Sequence, residues 1–201
     1  TGYVLSRKDF PWRNKFSFFF FFTTLFSGGL VPWYMLCVRY LHFKNSYIGI
    51  LLPLMFSVWN MIIAKSFMNG IPSAITESAK IDGANDFVIF MKLILPLSKP
   101  LIATLSLFSA LAYWNDWTNG LYYIVKNKDL YNIQNLLNQM ISNIQYIAQS
   151  SDSNVASAAA SLPATGIQMA IAFVAILPIM LIFPSFQKFY AKGITLGGVK
   201  G

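Results

Sequence analysis

Charge-free intervals divide the chain. Residues 16–38 contain no Lys, Arg, Asp or Glu, and neither do residues 45–64. Residues 100–125 hold a single charge, Asp116, and residues 153–187 hold none. A helix needs roughly 20 predominantly apolar residues to cross about 30 Å of hydrocarbon. The pattern therefore predicts four spans, at about 16–36, 47–67, 98–124 and 164–186. The start of the last interval, "SNVASAAASLPATG", is too small and polar to face lipid throughout. The run Phe18 to Phe22 has no polar face and reads as lipid contact.

One stretch breaks the oiliness. "TESAKIDGANDFVIFMKLILP", Thr76 to Pro96, holds three acids and two lysines between the second and third spans. Pro72 can occupy a first helical turn, where a missing N–H costs nothing. "SAITESAKID" contains no breaker and runs to Gly83, a natural C-terminal cap. Ile71, Ile75, Ala79 and Gly83 fall along one side at i, i+4 spacing. Asn85 or Asp86 can cap a second helix, "FVIFMKLIL", stopped or kinked at Pro96. The segment 70–96 is thus a helical hairpin, too short and too polar to span, lying at the membrane surface.

Which surface follows from the basic residues. Segments 1–15, 65–99 and 187–201 carry eleven Lys and Arg, whereas segments 37–46 and 126–152 carry four. The positive-inside rule puts the first, third and fifth segments, and so the hairpin, in the cytoplasm. Two roles for it remain open on physics alone. It can simply join two spans, or it can dock a partner, with small Ser78, Ala79 and Gly83 allowing close approach and Glu77 offering a charge.

Composition agrees with a bilayer. The 201 residues are 56% hydrophobic, 16% aromatic and 11% charged, where a soluble domain carries about 25% charged residues. The net charge of +8 is spread in small groups rather than a stripe, which speaks against nucleic acid as a partner. One cysteine, Cys37, excludes an intrachain disulfide and a multi-cysteine metal site. One histidine, His42, leaves little for a His-based one. A membrane enzyme would need a catalytic constellation, yet the clustered acids Glu77, Asp82 and Asp86 have no His or Cys beside them. A secondary transporter would show buried charges in several spans or inverted repeats, and neither is evident. The chain begins at Thr1, and "TGYVL" reads like the end of a preceding helix, so further N-terminal sequence is expected.

Polar residues within spans are costly and usually face a bundle interior or a watery cavity. Asp116 in "AYWNDWTNGLYY" is such a group. With Trp114, Asn115 and Trp117 it either packs and caps helices or lines a translocation path. Asn60, mid-span, suggests an interhelical hydrogen bond or the same path. Beyond the third span, Leu130, Ile133, Leu137, Met140 or Ile141, Ile144 and Ile147 recur at helical spacing. That helix either rests on the outer interface or meets an outside partner, to which the following "QSSDSNVASAAAS" could adapt. The tail "QKFYAKGITLGGVKG" would anchor the last span through Lys188 and Lys192.

The spacing of the hairpin carries a resemblance. Glu77-Ser78-Ala79, three residues, Gly83, nine residues, and Leu93-Ile94-Leu95-Pro96 resemble the EAA loop of ATP-binding-cassette importer permeases. Ser replaces the loop's first Ala, and Leu its Ile. "IDGA" and "LPLSKP" look like the carbohydrate branch of those permeases. "SRKDFPWR", "LFSGGLVPWY", "YWNDW" and "GGVKG" further resemble the subgroup handling complex oligosaccharides, maltose-type second permeases among them. The resemblance implies an all-α, polytopic membrane protein with the type I importer (MetI-like) transmembrane fold, in the bacterial cytoplasmic membrane, as one permease domain over residues 1–201. It implies a second homologous permease subunit in a heterodimer, two ATPase subunits, and an extracytoplasmic solute-binding protein. The chain itself would bind no cofactor and hydrolyse nothing, ATP and Mg belonging to the ATPase subunits. Carried onto this sequence, Glu77, Ser78, Ala79, Asp82, Gly83, Phe87, Phe90 and Pro96 would form the ATPase-coupling site. Glu77 would pair with a basic ATPase residue, and Phe87 and Phe90 would supply the apolar contact.

Overall fold

The structure, a computed structural model, describes residues 1–149 and 164–197, and beyond residue 184 by backbone alone. The described residues are helical, with no strand among them. Helices α1 (Gly2–Ser6) and α2 (Arg13–Leu25) are followed by α3 (Leu30–Tyr40), whose second half is a π-helix. Then come α4 (Tyr47–Met55), α5 (Val58–Asn69), α6 (Ser73–Ile81) and α7 (Asp86–Leu97). Helices α8 (Lys99–Asn115), α9 (Thr118–Tyr123), α10 (Ile133–Gln149) and α11 (Ala164–Gly197) complete the order.

Three expected spans are broken rather than continuous. The first, 16–36, is interrupted between α2 and α3, where Gly29 has φ +84° and its N–H donates to Ser27 Oγ. Two adjacent glycines carry no Cβ to favour the helical basin, so the apolar run does not hold one helix together. The second, 47–67, divides at Phe56, where Ser57 caps α5 by accepting from Asn60 N–H at 3.3 Å. The third, 98–124, ends as a helix at Asn115. The fourth runs on to Gly197, past both Pro178 and Pro184, instead of ending near 186. One helix is long and apolar enough to cross a membrane, with Thr165–Pro184 as its apolar stretch, and up to four cross if each bent pair counts as one span. The expected roles of "QSSDSNVASAAAS" and of the closing "GGVKG" lie outside the described residues, as do the side chains of Lys188 and Lys192.

The chain forms two compact units. The first comprises Thr1–Gly29, Met55–Phe108 and the residues from Phe186 on. Its core is built on Ala79, Ile89 and Ile94, against which Tyr3, Met68 and Ile71 pack. Helix α1 lies close on α5, because a Cβ at Gly2 would stand 2.7 Å from that of Ala64. The second comprises Leu30–Leu54 and Ser109–Ser185, with a core of Cys37, Phe43 and Tyr123. The phenylalanines of α2 are exposed except for the half-buried Phe20, and that helix has no buried residue. In water such a surface would be untenable at this extent.

Candidate functional site

The hairpin of the first unit is assembled by local rules. Pro72 precedes α6 in extended geometry, and the helix ends in a left-handed glycine, Gly83, at φ +81°. Ala84 N–H donates to Ala79 O and Gly83 N–H to Lys80 O, both at 3.0 Å, the paired bonds of a Schellman motif. Asn85 Oδ1 then accepts from Val88 N–H at 2.8 Å and caps α7. Pro96 does not stop that helix. A π turn over Phe90–Ile94, closed by Leu95 N–H onto Phe90 O, takes up the proline, and the bend of 77° comes at Ser98 before α8.

The expected coupling residues separate into two faces. Glu77, Ser78, Asp82, Gly83, Phe87 and Pro96 are exposed. The Glu77 carboxylate makes no hydrogen bond or ion pair among the described residues, so its charge is free for a partner. Ser78 Oγ donates to Ala74 O at 2.8 Å, which satisfies the hydroxyl within α6 and leaves the helix surface nearly as smooth as Ala would. Ala79 and Phe90 depart from expectation. Ala79 is 9% exposed and belongs to the core, so its small size seats α6 on its own unit rather than on a partner. Phe90 packs on Tyr3, ring centroids 5.0 Å apart, and is likewise turned inward. The most exposed apolar side chains of the hairpin are Ile81 at 86% and Phe87 at 72%. Ile81 lies off the i, i+4 stripe of Ile71, Ile75 and Ala79, which runs along the inward side, and that offset is the sequence signal for its exposure.

A charge network that residue spacing does not reveal ties the hairpin to the N-terminus. Arg7 forms an ion pair with Asp9 and another with Asp86 at 2.8 Å. Lys80 Nζ lies 3.3 Å from Asp9 and 3.8 Å from Asp86. The Arg7 guanidinium, 20% exposed, also stands over the Tyr3 ring at 5.9 Å. The hydrogen bond from Arg7 holds the Asp9 carboxyl well below the usual carboxylate range, and the same bond raises Arg7 further above its ordinary value. Because Asp9 is depressed, its contribution is present above the ordinary carboxylate pKa and is lost only as pH falls below it. The Arg7–Asp9 pair is therefore charged on both sides near neutrality. Arg7, Lys80, Glu77 and Asp86 rim a cleft of about 340 Å³ between the N-terminal segment and the hairpin.

The polar residues of the third span cluster in the second unit. Asp116 is buried; its Oδ1 accepts from Asn119 N–H at 3.1 Å and its Oδ2 from Asn119 Nδ2 at 2.9 Å. It thus caps α9, and this local bond competes with continuation of α8. Asn132 Nδ2 donates to Asp116 O and Asn135 Nδ2 to Trp117 O, which pins the start of α10 to the break. Trp114 Nε1 donates to Ala175 O at 3.0 Å. Asn115 and Trp117 keep exposed side chains. Asn60 lies in the first unit, half-buried, and its side chain makes none of the expected hydrogen bonds among the described residues. Along α10, Leu137 is buried and Ile133, Ile141, Ile144 and Ile147 are half-buried, while Met140 is exposed.

Residues 1–196 match the model of the family described as binding-protein-dependent transport system inner membrane component. The polygalacturonan/rhamnogalacturonan transport system permease protein YtcP of Bacillus subtilis (strain 168) is 42% identical over 200 residues, all of this chain and 68% of the relative. The arabinooligosaccharides transport system permease protein AraQ of the same organism is 27% identical over 206 residues, covering 65% of its length. Among solved structures, a bacterial ABC transporter involved in import of the acidic polysaccharide alginate matches with a TM-score of 0.77 and 27% identity. That match covers 94% of this chain and 66% of the other. The chain spans about two thirds of the length of the curated relatives it matches.

Proposed function

The chain belongs to the binding-protein-dependent transport system inner membrane components, and from that premise we propose that it is a permease subunit of an ATP-driven importer for an oligosaccharide. An extracytoplasmic solute-binding protein delivers the sugar, a second homologous permease completes the pore, and two ATPase subunits supply the energy. The chain itself binds no nucleotide and carries out no chemistry. Relatives named for polygalacturonan and alginate make a uronate-containing oligosaccharide the first substrate to test.

The observation that carries the reading is the outward face of the hairpin. Glu77, unpaired and exposed, stands on the same short element as the exposed Ile81 and Phe87, while the opposite face is locked into the unit's core. A charged group beside an apolar pair on a rigid element is a docking surface for an ATPase subunit that offers a basic residue and an apolar cleft. ATP-driven closure of the ATPase pair would move this element as a rigid body and switch the pore's access. In the second unit we assign Asn115 and Trp117 to the sugar path and Asp116 and Trp114 to holding the broken span.

The test is the ATPase activity of the reconstituted assembly with a panel of sugar-loaded binding proteins, oligogalacturonides against neutral oligosaccharides. Glu77→Lys places like charges together, which costs several kcal/mol at an interface, so ATPase-subunit association should weaken by roughly tenfold or more. Unchanged association together with unchanged stimulation by loaded binding protein would remove the docking role of Glu77.

A further inference from the structure

The N-terminal segment of the first unit touches both α5 and the hairpin, which also meet directly where Met68 of α5 packs on the hairpin's core. At one end, Gly2 brings α1 into close contact with Ala64 of α5. At the other, Arg7 pairs with Asp86 at 2.8 Å at the start of α7, and Lys80 of α6 reaches Asp9 at 3.3 Å. Between them Tyr3 lies under the Arg7 guanidinium and against Phe90 of α7. The segment therefore grips a span helix with its first residues and both hairpin helices with its last. Arg7 suits the position: its planar fork bonds two carboxylates at once and its face stacks on an aromatic ring, neither of which Lys does as well.

We infer that residues 2–9 form a strut through which displacement of the docking hairpin is carried to α5, with Arg7 as the positioning residue at the hairpin end. This rests on the permease reading above, and it goes beyond that reading by adding a second route to the chain's own connection from hairpin to span. A hairpin free of the strut still docks the ATPase through Glu77, Ile81 and Phe87. It then moves without taking the span along, so hydrolysis proceeds and transport lags.

The quantity that separates this role from simple stability is transport per ATP hydrolysed, measured in vesicles holding the complete assembly. Arg7→Asp is expected to leave the ATPase subunits copurifying and to lower that ratio on the order of fivefold, the lower end of site-to-site couplings. The charge swap R7D/D86R should restore it in part, because the carboxylate placed at position 7 still faces Asp9. D86N, at an exposed position with no core role, supplies a folding-safe variant and should lower the ratio in the same direction. A ratio equal to the parent's in D86N or R7D, or a lowered ratio that the swap leaves unchanged, overturns the strut. Glu77→Lys run in parallel distinguishes the failures. If it abolishes association while D86N and R7D couple normally, the strut falls and the permease reading stands. If it too associates and couples normally, the docking reading falls first.

Discussion

Gly83 has open space where a Cβ would stand, so the demand on it is conformational and nothing else. A left-handed backbone costs a residue with a Cβ about 1 to 2 kcal/mol, and Asn less than most. Gly83→Ala should therefore loosen the turn while Gly83→Asn largely preserves it. Hydrogen exchange at Ala84, whose N–H closes the turn onto Ala79 O, reads the difference; equal protection in the two variants would contradict it. Pro72, Gly83 and Asn85 were legible in the sequence because each acts within four residues of itself. The inward turn of Phe90 was not, since it packs on Tyr3, more than eighty positions away. Arg7 was hidden for the same reason: "SRKD" shows Arg7 beside Asp9, and nothing local shows Asp86.

At the scale of elements, apolar runs marked helical stretches and failed to show their breaks. Hydropathy counts side chains, whereas the breaks come from backbone effects: two glycines after α2, a serine cap before α5, and an aspartate cap before α9. The last of these organises α10. Asn135 is 5% exposed, and a Cβ on Gly120 would stand 2.1 Å from its Oδ1. Gly120→Ala should thus force the two elements apart, costing about 1 to 3 kcal/mol as overpacking does. The penalty belongs to one contact, so it should be mostly absent in an Asn135→Ala background. Thermal unfolding of the detergent-solubilised protein in the four-variant cycle measures this. Equal penalties in both backgrounds would mean that α10 is not seated through Gly120. The amphipathic stripe of α10 was readable from its period, but not Asn135, a polar residue off the stripe that is buried by its bond to Trp117 O.

Over the whole molecule, two independent divisions of the chain coincide. The unit boundaries fall at residues 29, 54, 108 and 185, each inside one of the four spans expected from the charge-free intervals. The first unit holds all eleven Lys and Arg of the segments assigned to the cytoplasm, and the second holds the remaining four. Compactness knows nothing of charge, and the positive-inside rule knows nothing of contacts. Their agreement supports the side that the positive-inside rule gives to the segments flanking the spans. Cys37, the chain's one cysteine, is fully buried, so a cysteine added elsewhere can be labelled against a silent background. Thr76→Cys in the hairpin should react with an impermeant maleimide in inverted membrane vesicles and stay protected in intact cells freed of their wall. Asn127→Cys, in the segment between α9 and α10, should show the opposite. Reaction of both from the same side would mean that the stretch between them does not cross, and reaction of Thr76→Cys in intact cells would place the docking hairpin away from any ATPase.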